Sequence, residues 1–138
     1  GPRRRVVVAD DVAINRQMLG ELLRGLGFEV LEADDGLSAL EQVQRHRPDL
    51  LLIDVRMPGM NGLEATACLR QEPGTRQLPV IAVSANASTE DQARCMAAGA
   101  NAFLAKPVDR EQLVALLGLH LGLRWVHRAS PGQPGELA

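Results

Sequence analysis

The stretch Leu50-Leu51-Leu52-Ile53-Asp54-Val55-Arg56-Met57-Pro58-Gly59 decides how this chain folds. Four aliphatic residues in a row, with no polar alternation, predict a strand from Leu50 to Asp54 that is buried on both faces, as strands of a parallel sheet are. Asp54 ends the run, and Met57-Pro58-Gly59-Met60-Asn61-Gly62 is a sharp loop rich in turn formers. A carboxylate so placed should stand exposed at the edge of the sheet.

The pattern repeats on both sides of that stretch. Val6 to Ala9 is a β-branched run stopped by Asp10-Asp11; Ile14, Met18, Leu19, Leu22, Leu23 and Leu26 then recur at helical spacing as an inward face, closed by Gly27. Phe28 to Ala33 predicts a second strand, and about Leu37 to Arg45 a helix with Leu40 and Val43 inward, followed by Pro48. Beyond the central loop come a helix near Leu63 to Arg70, a strand Val80 to Ser84, a helix near Glu90 to Ala98 stopped by Gly99, and a strand Ala102 to Ala105. Asp109 is the expected N-cap of a last helix that carries Leu113, Leu116, Leu117 and Leu121 and runs to about Leu123. Five strands alternating with five helices predict an α/β fold, a parallel sheet with helices on both faces in a three-layer sandwich.

Composition narrows the function classes. The 138 residues are 46% hydrophobic, ample for one domain core, and the net charge of −2 offers no broad basic footprint for nucleic acid. The longest apolar stretch, Leu113 to Leu123, is far short of the roughly 20 residues that span a bilayer. No leader pattern opens the chain, and a cytoplasmic, soluble domain without membrane insertion is expected. Gly1 and Pro2 have the character of a tag remnant, so that 1–4 lead in, 5–124 form the domain, and 125–138, rich in Pro and Gly from Ala129, form a tail too short for an output domain. Cys68 and Cys95 match neither a redox nor a zinc pattern and are expected in buried or half-buried helix positions; His46, His120 and His127 are expected at solvated helix ends.

Polar residues collect at the carboxyl ends of the predicted strands: Asp10-Asp11 after the first, Asp54 after the third, Ser84 after the fourth and Lys106 after the fifth. Open α/β sheets hold their ligands on that edge. Taken singly, each acid is as well explained as a helix cap or turn former, and Ser84 or Lys106 as a solvated side chain. Together they make a constellation. Three converging carboxylates repel one another, and Lys106 alone cannot neutralise them. A hard divalent cation can, which points to Mg²⁺ or Mn²⁺ and leaves room for a phosphoryl oxygen. Asp54 is then the candidate nucleophile on phosphorus, with metal, Lys106 and the Ser84 hydroxyl neutralising the transferred group.

These residues resemble those of response-regulator receiver domains over nearly the whole chain, from about Arg5 to Leu123. The resemblance rests on Asp10-Asp11, on Leu50 to Asp54 with Met57-Pro58, on Val83-Ser84-Ala85-Asn86-Ala87 and on Lys106-Pro107. It implies a doubly wound, flavodoxin-like sheet of order 2-1-3-4-5. It implies Asp54 as phosphoacceptor, Mg²⁺ held by Asp10, Asp11, Asp54 and the Arg56 carbonyl, Ser84 as switch hydroxyl, Lys106 as partner of the phosphoryl group, and a cis bond before Pro107. The implied donor is a histidine kinase or a histidine phosphotransfer domain, and the implied chemistry is self-catalysed aspartyl phosphorylation and dephosphorylation. A weak dimer through the fourth helix, fifth strand and fifth helix belongs to the same expectation.

Asn15, Gly62 to Thr66 and Cys95 to Gly99 are most similar to receivers of hybrid sensor histidine kinases, which would make this a cytoplasmic piece of a larger, membrane-bound kinase; a stand-alone regulator is the alternative. Ser84 replaces the commoner Thr, Asn61 a common Asp, and Phe103 a frequent Tyr, while Arg56 and Asn86 stand where receivers tune phosphoryl lifetime. Phe103 is either the aromatic of the family's switch or plain core filling, and lacking a hydroxyl it should pack inward even before phosphorylation. A haloacid-dehalogenase-type phosphatase is disfavoured because Arg56 stands where its second Asp belongs, and a nucleotide-binding domain because no GxxxxGK[ST] or GxGxxG turn follows a strand. A receiver-like interaction module that is never phosphorylated would not need the full acceptor site.

Overall fold

The computed structural model describes residues 4–123, 125–126 and 136–137. Ten elements alternate: β1 (Arg5–Ala9), α1 (Ala13–Gly25), β2 (Glu29–Ala33), α2 (Gly36–His46), β3 (Leu50–Asp54), α3 (Gly62–Gln71), β4 (Val80–Ser84), α4 (Thr89–Ala98), β5 (Ala102–Ala105) and α5 (Arg110–Leu121). The strands form one parallel sheet of order β2-β1-β3-β4-β5. Two short strands, β6 (Trp125–Val126) and β7 (Glu136–Leu137), pair antiparallel with each other. The rest of the expected tail, His127 and the Gly1-Pro2 lead-in lie outside the described residues. Among the described residues no helix is long and apolar enough to cross a membrane.

Strand pleat divides the core in two. Val7, Leu51, Ile53, Val80 and Ala82 face Ala39 and Val43 of α2, Ala65 and Leu69 of α3 and Cys95 of α4. Their neighbours Val6, Val8, Leu50, Leu52, Ile81 and Val83 face Leu19 and Leu23 of α1 and Leu113 and Leu117 of α5. Continuous aliphatic runs are therefore needed in β1, β3 and β4, because both faces of each are covered.

Helix ends follow local chemistry. Asn61 and Glu64 form a reciprocal capping box at α3, Asp35 caps α2 through the Ser38 amide, and Ser88 caps α4 through the Asp91 amide. Gly99 closes α4 at a φ of 112°, open to residues without a Cβ. Asp109 occupies the N-cap position of α5, yet its side chain makes no capping hydrogen bond, so the expected cap is positional only. Three further expectations are corrected. Ile14 and Met18 are 60% and 63% exposed, because the stripe of α1 that meets the sheet is the narrower line through Leu19, Leu23 and Leu26. Cys68 is exposed, since the buried line of α3 passes through Ala65, Thr66 and Leu69 instead.

The first helical residue of α3 ties the fold to the site. A Cβ added to Gly62 would strike the carbonyl oxygen of Asp54 and lie 3.1 Å from Cα of Val55. Backbone cannot yield there as a flexible side chain could. Gly25, at the end of α1, has nothing within 4 Å. We expect Gly62→Ala to lower unfolding free energy by about 1–3 kcal/mol, as overpacking does, and Gly25→Ala to raise it by roughly 0.5–1 kcal/mol. Urea denaturation of the two variants beside the parent protein checks both signs.

Candidate phosphoacceptor and metal site

The order of the sheet reverses between β1 and β3, which leaves a crevice beyond their carboxyl ends, the ligand edge of doubly wound sheets with this strand order, receivers included. Asp10 follows β1 directly and is 1% exposed. Its amide donates to Ala33 O at 3.1 Å, and its Oδ1 accepts the Val12 amide at 2.9 Å. Asp11 next to it is exposed. Asp54 closes β3, and its Oδ1 accepts the Arg56 amide at 3.1 Å. Lys106 leaves β5 through a cis bond to Pro107, its amide donating to Ser84 O at 2.9 Å. Its Nζ donates to Asp54 Oδ2 at 2.7 Å and to Asp10 Oδ2 at 3.2 Å.

Asp54 is 6% exposed rather than standing free at the edge. Neighbouring strands, Lys106 and the returning α3 backbone cover it. Burial is the main influence on its acidity and raises its pKa from 3.8; the Lys106 contact and the Arg56 amide oppose that rise without cancelling it, and Asp10 adds to it. Burial alone would lower Lys106, but its contacts with Asp54 and Asp10 outweigh burial and leave its pKa raised from 10.5. Both directions are consistent: the ammonium is held by two acids, whereas each acid has only part of one ammonium.

One oxygen each from Asp10, Asp11 and Asp54 lie within 4.8 Å of one another. Three hard oxygen donors with a formal charge of −3, opposed by one ammonium, fit a small divalent cation in charge and in donor chemistry. Arg56 itself is exposed and lines an open cleft with Asp11, Met57, Pro58 and Asn61. Ser84 is buried at the end of β4 with its Oγ accepting the Asn86 amide at 3.1 Å. Phe103 in β5 is half-buried and packs against the cluster that faces α2, α3 and α4.

All the acids, Ser84 and Lys106 thus meet at one edge, while Phe103 packs half-buried against the cluster on the α2, α3 and α4 side. Two features were missed by sequence reasoning. Arg16, half-buried, donates to the Asp10 carbonyl at 2.8 Å and pairs with Glu32 at 3.0 Å. The exposed Met18 lines a groove with Asn15, Leu22, Pro107 and Val108, alongside Asp10 and Lys106. The excess of apolar positions in α1 was the available signal for the groove.

Comparison with known proteins agrees with this geometry. Residues 6–118 match the response regulator receiver domain family. The polar-differentiation response regulator DivK of Brucella anthropi is 33% identical over 117 residues, 85% of this chain and 95% of DivK. The receiver domain of the sensor histidine kinase PA1611 from Pseudomonas aeruginosa PAO1, solved with magnesium coordinated in its active-site cleft, superposes with a TM-score of 0.82 at 34% identity, covering 88% of this chain and 99% of that one. The Vibrio cholerae chemotaxis protein CheY4 gives a TM-score of 0.82 at 32% identity, covering 87% of this chain and all of that one. The chain belongs to the response regulator receiver domain family.

The raised pKa of Asp54 has a consequence for stability in chelator. Its folded form holds a proton more tightly than its unfolded form, so the group's stabilising contribution is complete below pH 3.8 and is lost as pH rises through the folded value. Asp54→Asn removes that loss. In EDTA the variant should therefore be more stable than the parent near neutrality, with the gap closing toward roughly pH 4. Urea denaturation across that range checks it.

Proposed function

We propose that this domain receives a phosphoryl group from a phosphohistidine donor on Asp54 and so relays a two-component signal. The observation that carries the reading is Lys106 Nζ placed 2.7 Å from Asp54 and 3.2 Å from Asp10 beside a third acid. A carboxylate oxygen of Asp54 attacks phosphorus, the P–O bond forms as the P–N bond breaks, and the departing imidazole keeps the electron pair and takes up a proton. Lys106 is within reach of the transferred group, and the Ser84 hydroxyl at the adjoining strand end is the second donor. Asp10, Asp11, Asp54 and the Arg56 carbonyl would hold Mg²⁺ or Mn²⁺, which when bound supplies charge neutralisation for the phosphoryl oxygens.

The groove along α1 supports a helical histidine donor as partner, because Ile14 and Met18 stand exposed on the helix that borders the site. Likeness to the response regulators DivK and CheY4 favours the stand-alone regulator over a hybrid-kinase fragment, while similarity to the PA1611 receiver supports the other origin. Phe103, already half-buried, supports a switch of small amplitude.

Acetyl phosphate should label the protein in Mg²⁺ but not in EDTA, because without a cation the acids repel the incoming anion. Asp54→Asn should abolish the label. Intact-mass measurement decides both, and equal labelling in EDTA would count against the metal. Met18→Glu should slow transfer from a phosphorylated histidine phosphotransfer domain by about tenfold, as loss of an interface anchor does, and more than it slows acetyl phosphate. Equal slowing with both donors would sink the docking assignment.

A further inference from the structure

Every polar atom of Asp10 is held, but the carboxylate of Asp11 receives no hydrogen bond among the described residues. What aims Asp11 is therefore its backbone, and above all the plane of the peptide that joins it to Asp10. The Ala33 carbonyl fixes the near side by accepting the Asp10 amide at 3.1 Å. On the far side the Asp10 carbonyl accepts Arg16 Nη1 at 2.8 Å, and this oxygen belongs to the very peptide that carries Asp11. Arg16 is itself locked. Its Nε donates to Glu32 Oε1 at 3.0 Å, with the Arg16 side chain 19% exposed. Glu32 is in turn braced through Oε2 by Arg24 at 3.3 Å and through its carbonyl by Gln42 at 3.0 Å.

We propose that Arg16, oriented by Glu32, is a positioning residue for the metal site, setting the Asp10–Asp11 peptide so that Asp11 projects toward Asp54. The inference rests on the metal reading of the site given above. Arg16 touches none of the three carboxylates by hydrogen bond, so it acts through the main chain. An arginine suits the task because its planar fork donates in two directions at once, to a carbonyl and to a carboxylate. Lysine offers a point charge on a flexible stem and cannot keep both bonds in one geometry.

Mg²⁺ affinity, read by calorimetry on the unphosphorylated protein, tests this without reference to activity. Losing such outer support weakens metal binding by about ten- to a hundredfold in other sites. Arg16→Met should weaken Mg²⁺ by about tenfold, Arg16→Lys should restore only part of that, and Glu32→Gln, which keeps its shape and acceptor oxygen, should fall between parent and Arg16→Met. Adding Glu32→Gln to Arg16→Met should bring no loss beyond that of Arg16→Met alone. Unfolding in EDTA separates general damage from positioning: a purely structural role would lower stability while leaving Mg²⁺ affinity within twofold, and that result would overturn the proposal. Failure of the parent protein to bind Mg²⁺ would instead sink the metal reading and this inference with it.

Discussion

Crowding of negative charge at the β1–β3 crevice is the constraint on which the rest of the site depends. Two carboxylate oxygens no more than 4.8 Å apart repel by at least roughly 3–4 kcal/mol at the effective dielectric of a protein surface, less where water reaches Asp11. Three such pairs in a domain whose whole stability is of order 5–15 kcal/mol must be opposed. Lys106 opposes two of the acids, and its reach across the sheet from β5 to Asp10 and Asp54 explains why the carboxyl ends of non-adjacent strands must be held in register. The same repulsion that burdens folding makes the crevice receptive to a cation, and a site that is costly when empty binds its ion the more favourably.

Main-chain hydrogen bonds give that crowding further support. Val55 N donates to Val83 O and Lys106 N to Ser84 O, so the loops after β3 and β5 are both stitched to β4, while Gly62 N donating to Val55 O closes the loop after β3 on itself. Arg70 does comparable work on the opposite edge, donating to Gly99 O, Thr75 O and Asn101 Oδ1 and so joining the end of α3 to the loop before β5. Burial lowers its pKa, yet bonds to two carbonyls and an amide leave the guanidinium well solvated by protein.

The strands were legible because burial on both faces leaves only one kind of sequence: β3, β4 and β5 fall where their aliphatic runs predict. Helices were legible in place but less so in orientation, since α1 has more apolar positions than its buried stripe can use, and only the sheet decides which of Ile14 or Leu19 goes inside. The site's acids were legible as strand-end exceptions. Arg16 and Glu32 were not, because an arginine one turn into a helix and a glutamate inside a strand have local explanations, and only the parallel pairing of β1 with β2 brings them together. The burial of Asp54 was illegible for a related reason: Lys106, 52 residues later, and the Gly62 turn supply the cover.

What the site can transmit is limited by how Ser84 is held. Its Oγ accepts the Asn86 amide, Asn86 Oδ1 accepts the Ser88 amide, and Ser88 Oγ accepts the Asp91 amide in the first turn of α4. A hydroxyl that keeps accepting from Asn86 can still donate its own hydrogen to a phosphoryl oxygen, so under the proposed chemistry Ser84 can move inward only by carrying this loop along. The three bonds make the loop respond as a unit up to the cap of α4. Phe103, by contrast, already packs half-buried against the core, so part of the apolar burial that an inward turn could bring is already made. A ligand shifts an equilibrium only by its differential affinity for the two states. Under the proposed chemistry the larger share of the conformational response would therefore belong to the polar loop from Ser84 to Ser88, with the aromatic following rather than driving it.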